Sequence, residues 1–180
     1  ENYGGAHNAN QGKKFFYPDY HKFHNLKGMG NPDKCLTDVL TDCALDFIER
    51  KKDEPFFMYL SYYTVHTPIT GKPEYVEKNP NKAAMMQSLD ESVGRVVAKL
   101  KKIGQLENTL IIFTGDNGSQ GDQFVPNFRG NKGTAYEGGT RVPLIVFGPG
   151  IRQGVCDVPT IGMDLYPTIL SYIGAPLKPK

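Results

Sequence analysis

No apolar run in this 180-residue sequence approaches the length of a membrane-spanning helix, and tryptophan is absent. Charge of one sign is scarce as well. The 21 Lys and Arg against 19 Asp and Glu leave a formal net charge of +2, which argues against nucleic acid or an anionic membrane surface as a bulk partner. Cysteine numbers only 3, with neither CxxC nor Cys/His spacing, so zinc and a disulfide framework are both disfavoured. Cys35 and Cys43 sit close in sequence with the second on an expected helix, and Cys156 stands alone in a loop; free thiols are the reading. Internal repeats and low-complexity segments are missing too.

What is present is ordinary globular material, 39% hydrophobic and 22% charged, in a length that suits one domain with a real core. The 20 glycines and 13 prolines point to long loops. Residues 1–32 lack periodicity and read as extended loop; Tyr3, His7, His21 and His24 there match no metal spacing. Val39, Leu40, Cys43, Ala44, Phe47 and Ile48 recur at helical spacing within 37–52, with Thr37 or Asp38 as the expected N-cap. Residues 83–102 form the clearest helix, with an apolar face of Met85, Leu89, Val93, Val96, Val97 and Leu100 and Gly104 placed to end it. Residues 163–173 read as a closing helix with Pro167 in its first turn. Residues 56–60, 110–113 and 144–147 are short and wholly apolar, the pattern of buried strands. Alternating strands and helices predict an α/β domain with a mostly parallel sheet flanked by helices on both faces.

The chemistry concentrates in residues 109–143, TLIIFTGDNGSQGDQFVPNFRGNKGTAYEGGTRVP. A strand ending in Asp116 and Asn117 delivers two oxygen ligands to the rim of a sheet, where open α/β sheets place their sites. Asn-Gly alone is above all a turn signal. Lys132, bracketed by Gly130 and Gly133, adds a cation on a backbone that can approach an anion closely. Together these residues predict a hard metal ion and an anionic substrate group in one crevice.

This arrangement resembles the sulfatases, the formylglycine-dependent branch of the alkaline phosphatase superfamily. The resemblance rests on the strand-end Asp-Asn-Gly and on residues 130–143, GNKGTAYEGGTRVP, which match the family's GxKGTxxEGGxRVP loop. It extends to LTDVLTDCALDFIE at 36–49, PFFMYLSYYTVHTP at 55–68 and MQSLDESVGRVVAKL at 86–100, in family order. It implies an alkaline phosphatase-like fold, calcium held by Asp116 and Asn117, and Lys132 as sulfate-binding donor. It also implies that His66, in a His-x-Pro segment, contacts the sulfate ester and helps the leaving oxygen depart, a proton-donor role suited to imidazole. Val65 stands where many members have Pro. Glu137 and Arg141 read as a buried structural pair holding the loop, and Gly138-Gly139 as the packing point.

The family's nucleophile arises from Cys or Ser in C/S-x-P-x-R, and no cysteine or serine here is followed by that pattern. Its paired N-terminal Asp and Gly-Lys-Trp-His segments are absent as well. The chain therefore reads as the later part of a sulfatase catalytic domain, residues 1–180, with the formylglycine in the upstream segment. The expected substrate is a sulfated small molecule or glycan, and family resemblance favours an exported location, periplasmic, lysosomal or extracellular. Two alternatives stand beside this reading. One is a phosphate or phosphonate ester hydrolase of the same superfamily; the other is a non-catalytic anion- or metal-binding domain derived from a sulfatase.

Overall fold

The computed structural model describes residues 34–66, 72–76, 82–120 and 127–177. Tyr3, His7, His21 and His24 lie outside them. The chain divides into two compact units, Glu1–Pro149 and Gly150–Lys180.

The first unit is organised by two helices, α1 (Leu36–Arg50) and α3 (Lys82–Lys102), packed against each other. Leu36, Val39, Ala44 and Ile48 from α1 are buried, as are Ala84, Met85, Leu89 and Leu100 from α3. Burial of each large member contributes about 1.5–3 kcal/mol. The expected stripe on α3 is therefore only partly the core: Val93, Val96 and Val97 are half-buried, while Ser88 and Ser92 are buried. Ser88 Oγ donates to Ala84 O at 3.0 Å, so the buried hydroxyl is satisfied within its own helix. At the end of α3, Gly104 adopts φ 73°, Gln105 N–H reaches back to Leu100 O, and Gly104 N–H reaches Lys101 O. This paired closure is the Schellman motif that the glycine predicted.

The N-cap of α1 is Cys35, not Thr37 or Asp38. Both candidates are engaged in tertiary contacts instead. Thr37 Oγ1 shares a hydrogen bond with Thr64 Oγ1 at 2.8 Å, and the Asp38 carboxylate pairs with Lys72 at 3.1 Å and Arg95 at 3.4 Å. A one-turn helix, α2 (Pro73–Val76), follows Lys72 and precedes α3.

The sheet corrects the expectation most sharply. Among the described residues it has two strands, β1 (Ile111–Thr114) and β2 (Leu144–Phe147), and they run antiparallel. Thr114 pairs with Leu144, so the connection leaves and re-enters at the same end of the ladder. A parallel return needs a crossover, usually a helix of several turns. The described part of this connection holds only α4 (Glu137–Thr140), a single turn that hands the chain straight back. Residues 56–60 are not assigned as strand; they are extended, and burial alternates, with Phe56, Met58 and Leu60 half-buried and Phe57 and Tyr59 at 73% and 82% exposure. Phe56 meets Phe47 of α1 edge-on at 5.6 Å. A strand requires a hydrogen-bonded neighbour, and apolar sequence alone does not supply one. β2 is likewise exposed along its length rather than buried, since among the described residues its paired neighbour is β1 alone.

The second unit holds a 3-10 turn, Gly162–Asp164, leading into α5 (Leu165–Tyr172). Pro167 falls in the first turn of α5, where its missing N–H costs nothing.

Candidate functional site

The loop between β1 and β2 is built by backbones crossing at glycine. Gly118 N–H donates to Gly139 O at 2.9 Å, Gly138 N–H to Arg129 O at 2.9 Å, and Lys132 N–H to Ser119 O at 2.9 Å. A Cβ at Gly118 would fall 2.0 Å from Gly138 O, and one at Gly138 would fall 2.0 Å from Gly130 O. Both obstacles are backbone atoms, which cannot swing aside. Gly130, at φ 77°, is doubly constrained because its Cβ would also meet Thr134 Oγ1 at 2.4 Å.

These bonds set the Lys132 backbone against Ser119, two residues beyond Asn117 and three beyond Asp116, at the end where β1 stops and β2 begins. Asp116 and Lys132 are exposed and Asn117 is half-buried. The Asn117 amide N–H donates to Asp116 Oδ2, which leaves the amide carbonyl oxygen as its second polar end. A carboxylate beside an amide oxygen is a donor set that fits a hard cation such as calcium, although two residues supply fewer than the six to eight oxygens that it takes. Among the described residues no group of three or more His, Cys, Asp or Glu is placed to hold a metal, so further ligands must come from elsewhere. Lys82 Nζ, at the start of α3, donates to Gln120 O at 3.1 Å and ties the cluster to the helical layer.

His66 lies in a separate segment, half-buried, with its backbone N–H donating to Tyr63 O at 2.7 Å. That segment is pinned to α1 by the Thr37–Thr64 hydrogen bond and by Thr41 Oγ1 with Tyr62 OH at 3.0 Å. Lys72, six positions later in the chain, is gripped between Asp38 of α1 and Glu91 of α3 at 3.1 and 2.8 Å. Burial works against the Lys72 ammonium, but the hydrogen bonds that it donates to Glu91 and Asp38 outweigh it and raise its pKa. The hydrogen bonds that stitch the glycine cluster involve none of these residues, so His66 is placed near Lys132 by resemblance alone.

Glu137 and Arg141 do pair, at 3.5 Å, but both side chains are well exposed, 66% and 59%, contrary to the buried pair expected. The reason is that α4 turns Gly138 and Gly139 inward, which leaves its flanking side chains outside. Sequence reading missed two cation–π contacts on the same loop. The Arg129 guanidinium lies 3.9 Å over the Tyr136 ring, and that of Arg141 lies 4.4 Å over Phe128. Their signal was an Arg and an aromatic bracketing the glycine-lysine turn on each side.

The cysteines are free. Burial pushes the Cys35 thiol up to about 11, so it stays protonated and unreactive at neutral pH. The second unit carries an open groove lined by Pro167, Thr168, Ser171, Tyr172 and Leu177, with none of the expected site residues in it.

Known proteins resemble this chain in sequence and in fold. The family model described as Sulfatase matches residues 2–175. Rat (Rattus norvegicus) steryl-sulfatase is 36% identical over 158 residues, covering 80% of this chain and 27% of that protein. Human (Homo sapiens) arylsulfatase A is 36% identical over 137 residues, covering 71% of this chain and 27% of its own length. Among solved structures, Ps i-CgsB in complex with k-i-k-neocarrahexaose superposes with a TM-score of 0.74 at 28% identity, covering 91% of this chain and 44% of that one. The chain thus spans 27% of the length of these curated relatives, which fits a partial sulfatase sequence. No helix among the described residues is long and apolar enough to cross a membrane.

Proposed function

Because the chain belongs to the sulfatase family and shares its alkaline phosphatase-like α/β fold, we propose that it supplies half of the active site of a sulfuric ester hydrolase. The observation that carries this reading is the bond from Lys132 N–H to Ser119 O, which holds the lysine loop against the Asp116-Asn117 turn. An anion-binding lysine and a pair of hard oxygen donors on one rigid backbone are what sulfate recognition requires. Lys132 stabilises negative charge as it moves onto the sulfate oxygens and leaving group. His66 gives its proton to the departing alkoxide. Asp116 and Asn117 hold calcium, which supplies charge neutralisation at the sulfate when bound. The nucleophile, a formylglycine derived from Cys or Ser, belongs to a segment upstream of this chain.

The substrate class favoured is a sulfated glycan. A solved structure that matches 91% of this chain, Ps i-CgsB, is a complex with the oligosaccharide k-i-k-neocarrahexaose. An exported location accompanies that class, since sulfated polysaccharides lie outside cells. In the whole protein, residues 56–60 enter a larger, mostly parallel sheet; protection of their amides from hydrogen exchange in the full-length protein checks this, and fast exchange there contradicts it. The phosphate or phosphonate ester alternative is separated by substrate preference.

The test is sulfate release from an aryl sulfate and from sulfated oligosaccharides, by the full-length protein and by residues 1–180, with and without calcium. The full-length protein should turn over and lose activity on chelation. Residues 1–180 alone should not exceed background, because charge stabilisation without a nucleophile cannot start the covalent route. Turnover by the isolated chain, or phosphate release in preference to sulfate release, would overturn the reading.

A further inference from the structure

Three cations ring the crossing loop, and they are not equivalent. Lys132 projects from the turn itself. Arg141 is already committed, packed on Phe128 at 4.4 Å and paired with Glu137 at 3.5 Å. Arg129 is exposed, and among the described residues no carboxylate pairs with it. Its guanidinium lies 3.9 Å over the ring of Tyr136, itself 46% exposed. Its carbonyl accepts the Gly138 N–H at 2.9 Å, so the backbone beneath the side chain is fixed by a contact that only glycine permits.

A ring attracts a guanidinium through its π face and takes up none of the N–H donors in a carboxylate-type pair, so the donors stay available to an anion. A guanidinium so immobilised has surrendered much of its rotamer freedom before any ligand arrives. It is suited to bidentate binding of a sulfate or carboxylate. Lys132 follows three positions later, which limits the separation of the two Cα atoms to about 11 Å even if the chain were extended. The turn is closed, with Thr134 N–H and Oγ1 both donating to Asn131 O at 3.0 and 2.8 Å, so the loop is compact just past Lys132. Neighbouring anionic groups on one or two linked sugar rings fall within that reach.

We infer that Arg129, held against the Tyr136 ring, forms a second anion subsite beside Lys132, and that the substrate is a glycan carrying a further sulfate or carboxylate next to the sulfate that is cleaved. The inference rests on the sulfatase reading and narrows it from sulfated glycans to polyanionic ones. It assigns discrimination to Arg129 and chemistry to Lys132.

The experiment uses the full-length protein and two probes, a monosulfated and a disulfated disaccharide of the same sugar backbone. Relative kcat/KM for the two gives a discrimination ratio, and NMR titration of the same probes gives a binding ratio that does not depend on turnover. Arg129→Ala should reduce both ratios about tenfold, the scale of one charge-assisted hydrogen bond. Arg129→Lys should restore only part, because an ammonium lacks the planar fork, and Tyr136→Leu should reproduce part of the loss with the charge intact. Unaltered ratios in Arg129→Ala, or full rescue by Arg129→Lys, overturn the subsite. If the wild-type protein binds the disulfated probe through Arg129 yet releases no sulfate from either, the subsite stands and the sulfatase reading fails instead.

Discussion

The helical layer and the crossing loop of the first unit are held together by opposite means. Between α1 and α3, side chains do the holding: a buried apolar seam, with Asp38, Lys72, Glu91, Arg95 and Asp42 linked by ion pairs along its edge. Energy there is spread over many contacts, so a single swap of similar volume leaves the layer standing. In the loop, backbone meets backbone at Gly118, Gly138 and Gly139, the Thr134 and Tyr136 side chains close off Gly130, and nothing larger than a hydrogen fits at any of the four. The side chains of Asp116, Arg129 and Lys132 in the loop are exposed. Rigid backbone and available side chains are the combination that a preorganised anion site needs.

The difference makes glycine replacement the most severe way to probe it. Gly138→Ala drives a Cβ to 2.0 Å from Gly130 O, so in the full-length protein sulfate release should fall more than about a hundredfold, the scale of a misplacement near 1 Å. Far-UV circular dichroism should still report α1 and α3 intact. Loss of the helices as well would mean that the two regions are not separate. Next in size is Asp38→Ala, which strips Lys72 and Arg95 of a partner at a side-chain site only 14% exposed. It should cost about 3 kcal/mol in chemical denaturation, the low end of the range for breaking a buried pair.

Acid should weaken the helical layer before the loop. The hydrogen bond from Lys99, then that from Lys52, holds the Glu49 carboxyl at about 2, below its ordinary 4.5. Lys72 and then Tyr75 likewise lower Glu91, and in Asp42 burial raises the pKa but hydrogen bonds from Lys34 and Arg95 outweigh it. Carboxylates with depressed values stabilise the fold above their unfolded pKa, and that stabilisation drains away as pH falls through the folded value. Thermal melts should therefore drop between pH 4.5 and about 2, and Glu49→Gln should flatten the curve there. A flat wild-type curve would show the ion pairs to be solvated decoration. Smallest is Gly94→Ala on the exposed side of α3, where a Cβ meets nothing within 4 Å. It should stabilise the protein by about 0.5–1 kcal/mol, the reverse in sign of the loop glycines.

What could be read from the sequence divides along the same line. Helical periodicity is local, so α1, α3 and α5 were legible, as was the Schellman glycine at 104. The loop was legible through a motif, GNKGTAYEGGTRVP, whose glycines are dictated by contacts made within a few dozen residues. Strand pairing is not local. Apolarity at 56–60 and 144–147 announced strands but carried no information about which neighbour would pair, in which direction, or what would cover β2. The N-cap of α1 was misjudged because the hydroxyl of Thr37 and the carboxylate of Asp38 had partners 27 and 57 residues away. Arg129 escaped notice because a stacked guanidinium is defined by where a ring lands, and the Tyr136 ring lands there through the fold of the turn.

The central claim is that Asp116 and Lys132, stitched together through glycine backbones, act on one sulfate as a unit. A double-mutant cycle on the full-length protein tests it most directly, with sulfate release measured in single turnover for Asp116→Asn, Lys132→Ala and the double variant. Lys132→Ala alone should lose about a hundredfold or more, near 3 kcal/mol for one transition-state donor. The double variant should then be scarcely worse than the poorer single one, as residues serving one transition state are strongly non-additive. Losses that multiply in full would place the two residues on independent tasks and contradict the single shared site.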